Sequence, residues 1–253
     1  MGIKTAVLNG VASIELARPK KKNALDAQMY LQMTEVLKTA GDDPQIRAVL
    51  IHGQPEVFTA GADLEDFVAG KVLEDGSPLR VFMHTLCHFE KPVVAAVNGP
   101  AIGVGTTMLV HCDLVYAGDT AHFALPFVSL GVVPEFGSSY LLPRLAGRAR
   151  ASEKLLLAQP FNAQEALEMG LINAILPANE VVNHARRMAE RFNKLAPAAV
   201  RATKRLLQVS WRQEVDVAIE AEADAFNACV GSAEVKEALS AFFEKRWPDF
   251  SKF

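Results

Sequence analysis

Three cysteines in 253 residues, Cys87, Cys112 and Cys229, are odd in number and scattered along the chain. A disulfide framework is therefore not expected, and a reducing compartment is the expectation. Long apolar runs are also missing, since none approaches the roughly 18 residues of a membrane span. Met1–Ala6 lacks the apolar stretch of a secretory signal. Ala6 stands where a myristoylation signal needs Ser or Thr, and the closing Ser251-Lys252-Phe253 departs from a peroxisomal Ser-Lys-Leu at its last residue. Charge of one sign is scarce: 26 Lys and Arg against 29 Asp and Glu leave a net −3. That balance gives no electrostatic reason to bind nucleic acid or anionic lipid. A soluble, cytoplasmic protein with no nucleic-acid or membrane partner is expected. Half the residues are hydrophobic and 22% charged, an ordinary globular composition.

The pattern that is present is α/β. Ala6–Leu8 and Val11–Leu16 flank Asn9-Gly10, a strong hairpin signal. Asp26 suits the cap of a helix running to about Ala40, with Gly41 as its stop. Ala48–His52 and Val93–Val97 read as buried strands, and Leu114–Tyr116 and His122–Leu125 as further ones. Ser77 and Pro78 open a helix expected to reach about Glu90. A helix through His111 should follow the Gly99–Gly105 turn, and another should begin at Pro134 and carry Glu135 in its first turn. From Arg150 onward the pattern is almost wholly helical, broken at Pro160, Gly170, Pro197 and Gly231 and by one strand, Ile172–Leu176. The helices after about Ala198 carry more apolar face than one domain edge covers, which suggests packing against another subunit.

Chemistry concentrates at three places. Phe58-Thr59-Ala60-Gly61-Ala62-Asp63-Leu64 and Asn98-Gly99-Pro100-Ala101-Ile102-Gly103-Val104-Gly105 read as turns leading from a strand into a helix. Such turns leave N–H groups unpaired at the helix start, and two converging on one oxygen make an oxyanion hole. Gly103-Val104-Gly105 is no dinucleotide fingerprint, because Met108 occupies the third glycine's place. The third place is Glu135, which read alone is a carboxylate offsetting a helix dipole. His84, Cys87 and His88 have metal-ligand spacing but no matching second pair, so no metal is expected. The His111-Cys112-Asp113 cluster and the Lys20-Lys21-Lys22 run carry no chemistry by themselves.

Arg18-Pro19 with Asn23-Ala24-Leu25, then the Phe58–Leu64 and Asn98–Gly105 segments, then Cys112-Asp113 and Ala241-Phe242-Phe243-Glu244-Lys245-Arg246, together resemble the crotonase (enoyl-CoA hydratase/isomerase) superfamily in order and over nearly the whole chain. The resemblance implies an α/β fold, a spiral of ββα units over residues 1–195. A helical C-terminal region, 196–253, would drive assembly into a homotrimer or a dimer of trimers. It implies a coenzyme A thioester as substrate and no other cofactor. The N–H groups of Ala62 and Val104 would hold the thioester oxygen, and the carbonyl of Ala60 would meet the adenine amino group. Lys245 and Phe242 match positions that reach a neighbouring subunit's ligand, and one of Lys20–Lys22 could meet a phosphate.

Departures from that pattern bear on the reaction. A typical hydratase uses two glutamates, one to activate water and one to protonate carbon 2. Thr107 and Phe127 stand at those two positions, and neither side chain exchanges a proton near neutral pH. The segment Leu130–Tyr140, with Glu135, instead resembles the peroxisomal-type Δ3,Δ2-enoyl-CoA isomerases, in which one glutamate shuttles the proton. Isomerase activity is the expectation; hydration, or acyl-CoA binding without catalysis, are the alternatives.

Overall fold

The hairpin forms as its turn dictates. β1 (Ile3–Leu8) and β2 (Val11–Leu16) pair antiparallel, and Asn9 and Gly10 both take positive φ, 50° and 69°, as a tight primed turn requires. The computed structural model describes residues 2–65 and 73–253. Parallel to β2 run β3 (Ala48–His52), β4 (Val93–Val97), β6 (Leu114–Gly118) and β9 (Ala174–Leu176), completing a six-stranded sheet in the order β1-β2-β3-β4-β6-β9. A smaller sheet joins β5 (Pro100–Ile102), β7 (His122–Ala124) and β8 (Phe161–Asn162). The chain passes from the large sheet to the small one and then into helix: β4, β5 and α3 (Val104–Thr107) form one such ββα unit.

Every residue of β3 and β4 is buried, as expected for parallel strands covered on both faces. On one face lie α1 (Ala27–Asp42), presenting Met29, Met33 and Leu37 at helical spacing, and α2 (Pro78–Cys87) with Leu79, Phe82 and Leu86. On the other, α7 (Val181–Glu190) lays Val181, Ala185 and Ala189 against Leu50, Val94 and Ala96. In chain order between α2 and α7 come α4 (Ser138–Ala146), α5 (Arg148–Leu156) and α6 (Ala163–Glu168), whose Leu142, Ala151 and Ala166 join the first face's core. The tail comprises α8 (Pro197–Gln208), α9 (Arg212–Cys229) and α10 (Ala233–Phe243). It joins the first face's core through Val215, Ile219, Phe226 and Val235. Lys204 of α8 is buried and donates to Asp113 Oδ2 at 2.7 Å and the Lys91 carbonyl at 2.9 Å, which ties the tail to the sheet.

Several boundaries differ from the sequence reading. Asp26 does cap α1, accepting from Met29 N at 2.9 Å. The helix runs through Gly41 to Asp42, however, because Gly41 does not adopt the positive φ of a stop signal. α2 starts at Pro78 behind the Ser77 cap but ends at Cys87 rather than near Glu90, because the chain closes there in a tight turn, with His88 at φ −96° and ψ 5° and Phe89 N donating to Leu86 O at 3.2 Å. The Gly99–Gly105 segment contains the strand β5, and its helix is the single turn α3, followed by a 3-10 turn, Met108–His111. The helix expected beyond Leu64 lies outside the described residues.

Candidate active site

The two glycine-containing turns lie side by side. Thr59 N donates to the Pro100 carbonyl at 2.9 Å, and Ile102 N donates to Thr59 O at 3.1 Å. A Cβ on Gly61 would come within 2.7 Å of the Ile102 carbonyl oxygen, and one on Gly105 would collide with Thr59 Cγ2. Glycine is required at both places by this close approach. Buried Asn23 fixes the first turn, donating to Val57 O and Phe58 O and accepting from Arg18 N at 2.8 Å. Arg18 in turn bonds Asp63 at 2.5 Å, and this partner holds the Asp63 carboxyl below its usual range despite the opposing cost of burial. Gly103 N donates to Ala124 O, while Thr106 N and Thr107 N both return to Gly103 O. Ala62 and Val104 donate to no backbone carbonyl among the described residues. The N–H of Val104 is one of the orphans at the start of α3.

Glu135 is buried against the same helix. Its Oε1 accepts from Thr107 Oγ1 at 2.5 Å, and its Oε2 is buried with no hydrogen-bond partner among the described residues. Burial pushes its carboxyl up to about 8 from an ordinary 4.5, with the Thr107 hydroxyl opposing the rise and the charge of Glu222 adding to it. Thr107 stands on α3 three residues after Val104, so one helical turn links Glu135 to the second glycine turn.

The helix expected to begin at Pro134 does not form there. Phe136 and Gly137 both lie in the left-handed region, at φ 63° and 69°, and α4 begins at Ser138. Glu135 is therefore a turn residue, and the dipole-offsetting carboxylate is a different one. Glu222, buried on α9, accepts from Gly137 N at 2.6 Å and Ser139 N at 2.8 Å and caps α4. Sequence reading had no signal for Glu222, which lies 85 residues from Gly137 in an ordinary acidic helix. His111 is also more than part of an accidental cluster. It is buried, its Nε2 lies 2.7 Å from Phe136 O, and its ring stacks on Phe136 at 4.2 Å. Burial lowers its pKa to about 4, so the ring is neutral and donates.

The remaining candidates make no hydrogen bond to the Glu135 carboxyl among the described residues. Ala60 is in the first turn, donating to Lys22 O at 3.0 Å. Phe242 and Lys245 are exposed at the end of α10, and no described contact joins them to Glu135. Phe127 is buried at the start of the turn that leads to Gly131. His84 and His88 do find a third neighbour, Asp216, with ligand atoms within 4.8 Å of one another. Arg212 donates to His88 Nδ1, however, so the proton sits on Nε2 and points at Asp216, 2.8 Å away. His88 is thereby satisfied by hydrogen bonds, while His84 stacks on it and lies 3.4 Å from Glu220 Oε1.

Comparison with known proteins identifies the family to which this fold and chain are similar. A family model described as enoyl-CoA hydratase/isomerase matches residues 7–252. A short-chain-enoyl-CoA hydratase of Clostridium acetobutylicum is 35% identical over 240 residues, 93% of this chain and 92% of its own. Enoyl-CoA delta isomerase 2 of Rattus norvegicus is 34% identical over 251 residues, 97% of this chain and 64% of its own. The crystal structure of an enoyl-CoA hydratase/isomerase from Pseudoalteromonas atlantica T6c superimposes with a TM-score of 0.94 at 40% identity, covering 99% of this chain and all of its own.

Proposed function

The chain belongs to the enoyl-CoA hydratase/isomerase family, and we propose that within it this enzyme is a Δ3,Δ2-enoyl-CoA isomerase, moving a double bond of a fatty enoyl-CoA from position 3 to position 2. The observation that carries the reading is the division of labour on Glu135: Thr107, on the helix that follows the second turn, engages Oε1 and leaves Oε2 buried and unpaired among the described residues. Ionised Glu135 removes a proton from carbon 2 of the substrate. Negative charge builds on the thioester oxygen and is met by the N–H groups of Ala62 and Val104. The same carboxyl, now protonated, delivers its proton to carbon 4. A carboxyl group raised to about 8 is a stronger base than an exposed one, which suits removal of a weakly acidic C–H proton.

No second carboxyl is needed, because no water is added. The two positions that carry acids in the hydratase pattern hold Thr107 and buried Phe127, and Thr107 is occupied in bonding the base itself. Binding of the coenzyme A part falls to the Ala60 carbonyl, with Lys245 and Phe242 offered from the exposed end of α10 to a neighbouring subunit's substrate in a homotrimer or a dimer of trimers.

The test is product analysis with 3-enoyl-CoA and 2-enoyl-CoA supplied separately. Conversion of the first to 2-enoyl-CoA, much faster than hydration of the second, is expected. Efficient formation of 3-hydroxyacyl-CoA would make the enzyme a hydratase, as several relatives are named. No turnover of either substrate would leave a binding protein.

A further inference from the structure

The turn that carries Glu135 is held by side chains from two distant parts of the chain. Phe136 adopts a left-handed φ of 63°, a strained conformation for a non-glycine residue that persists only where its surroundings enforce it. The enforcing contacts are specific. Ser138 Oγ donates to Glu135 O at 2.6 Å. On the next residue, His111 Nε2 donates to Phe136 O at 2.7 Å while the two rings stack. On the one after, Gly137 N donates to Glu222 Oε2 at 2.6 Å, and Ser139 N donates to Glu222 Oε1 at 2.8 Å. His111 ends the helical run that begins at Val104. Glu222 comes from α9, where Val215 packs so tightly that a Cβ on Gly137 would meet its Cγ1 at 3.0 Å.

We propose that His111 and Glu222 are positioning residues for Glu135: together they lock the Phe136–Gly137 turn between the helical run that bears Val104 and the C-terminal helix α9, and so fix the carboxyl against Thr107. Neither residue touches the reacting atoms. The inference rests on the reading of Glu135 as the base. Its energetic logic is that a donor or acceptor withdrawn from a buried turn leaves a main-chain group unsatisfied, and relief of the left-handed strain would then swing Glu135 away. A misplacement of about 1 Å in a catalytic group costs on the order of 10²-fold in rate.

The test compares His111→Leu, His111→Gln, Glu222→Gln and Glu135→Gln in steady-state isomerisation of 3-enoyl-CoA over a range of pH. Leucine removes the donor to Phe136 O, whereas glutamine keeps an N–H there. The amide of Glu222→Gln turns an NH2 toward one of the two main-chain donors. Expected are a kcat at least about tenfold lower in His111→Leu and Glu222→Gln with KM within about threefold, and recovery of most of that loss in His111→Gln. The groups that act electrostatically on Glu135 are Thr107, by its hydrogen bond, and Glu222, by its charge, while His111 is neutral. The acid limb of the Glu222→Gln profile should therefore move to lower pH, a shift that loss of packing alone does not produce.

Wild-type kcat in folded His111→Leu and Glu222→Gln would overturn the proposal, as would equal losses in His111→Leu and His111→Gln. If Glu222→Gln does not fold, the His111 pair still decides. The two readings separate through Glu135→Gln. Activity remaining in that variant defeats the base assignment, whereas an inactive Glu135→Gln beside unaffected clamp variants defeats the clamp alone.

Discussion

A carboxyl group that is fully buried and short of one hydrogen bond carries its burial into both rate and stability. Glu135 is pushed from 4.5 to about 8 chiefly by desolvation. As a base it works only when ionised, so isomerisation should rise as pH rises through about 8. Stability runs the other way. Between 4.5 and about 8 the folded protein keeps this proton and the unfolded chain has lost it, so stability falls as pH rises across that window. The loss amounts to on the order of a few kcal/mol. Glu135→Gln is neutral at every pH. It should lose kcat while binding a CoA thioester within about tenfold of wild type. Its melting temperature should exceed the wild-type value by more at pH 8.5 than at pH 5. An equal difference at both pH values would mean that Glu135 is not held protonated by the fold.

At the scale of elements, the site depends on backbone geometry that side-chain deletion cannot reach. Val104 opens α3, and its N–H has no main-chain acceptor among the described residues. Proline is tolerated in a helix's first turn because its fixed φ suits the geometry. Gly103, at φ 54° and ψ −120°, lies outside the helical region that a residue preceding proline must avoid. Val104→Pro should therefore fold, with kcat reduced about 10²-fold or more and CoA-thioester affinity and melting temperature near wild type. Near-normal turnover in a folded Val104→Pro protein would remove this N–H from the oxyanion hole. The same reasoning explains why α4 starts at Ser138. Placing Phe136 and Gly137 in left-handed conformations uncouples Glu135 from the helix and aims it back at Thr107.

For the whole molecule, the C-terminal helices do two things at once. Their inner faces supply Val215, Ile219 and Phe226 to the core and Glu222 to the Glu135 turn. Their outer faces leave Leu206, Leu207, Val209, Phe242 and Phe243 exposed, with Trp247 at 91% exposure. The homotrimer proposed above would cover these side chains, as large contiguous apolar surface is generally covered by a partner. Sedimentation at micromolar concentration should show a trimer or hexamer. A stable monomer would remove the assembly and with it the inter-subunit role of Lys245. No helix among the described residues is long and apolar enough to cross a membrane.

The sequence alone determined those elements whose signals are local. The Asn9-Gly10 hairpin, the Asp26 and Ser77 caps and the strands Ala48–His52 and Val93–Val97 each follow from residues a few positions apart. The two glycine turns were legible as motifs for the same reason, whereas the weight given to Glu135, Thr107 and Phe127 comes from the resemblance to the crotonase superfamily. Tertiary structure decided what depends on residues distant in sequence. Gly41 was free to read as a helix stop, and only its φ shows that it is not one. Pro134-Glu135 reads as a helix start until His111 and Glu222, 25 and 85 residues from their main-chain partners, hold the next two residues left-handed. A carboxylate on a polar-looking helix gives no sign of which distant N–H it will meet. Its partner is set by how α9 packs, and packing is a property of the whole core rather than of any segment.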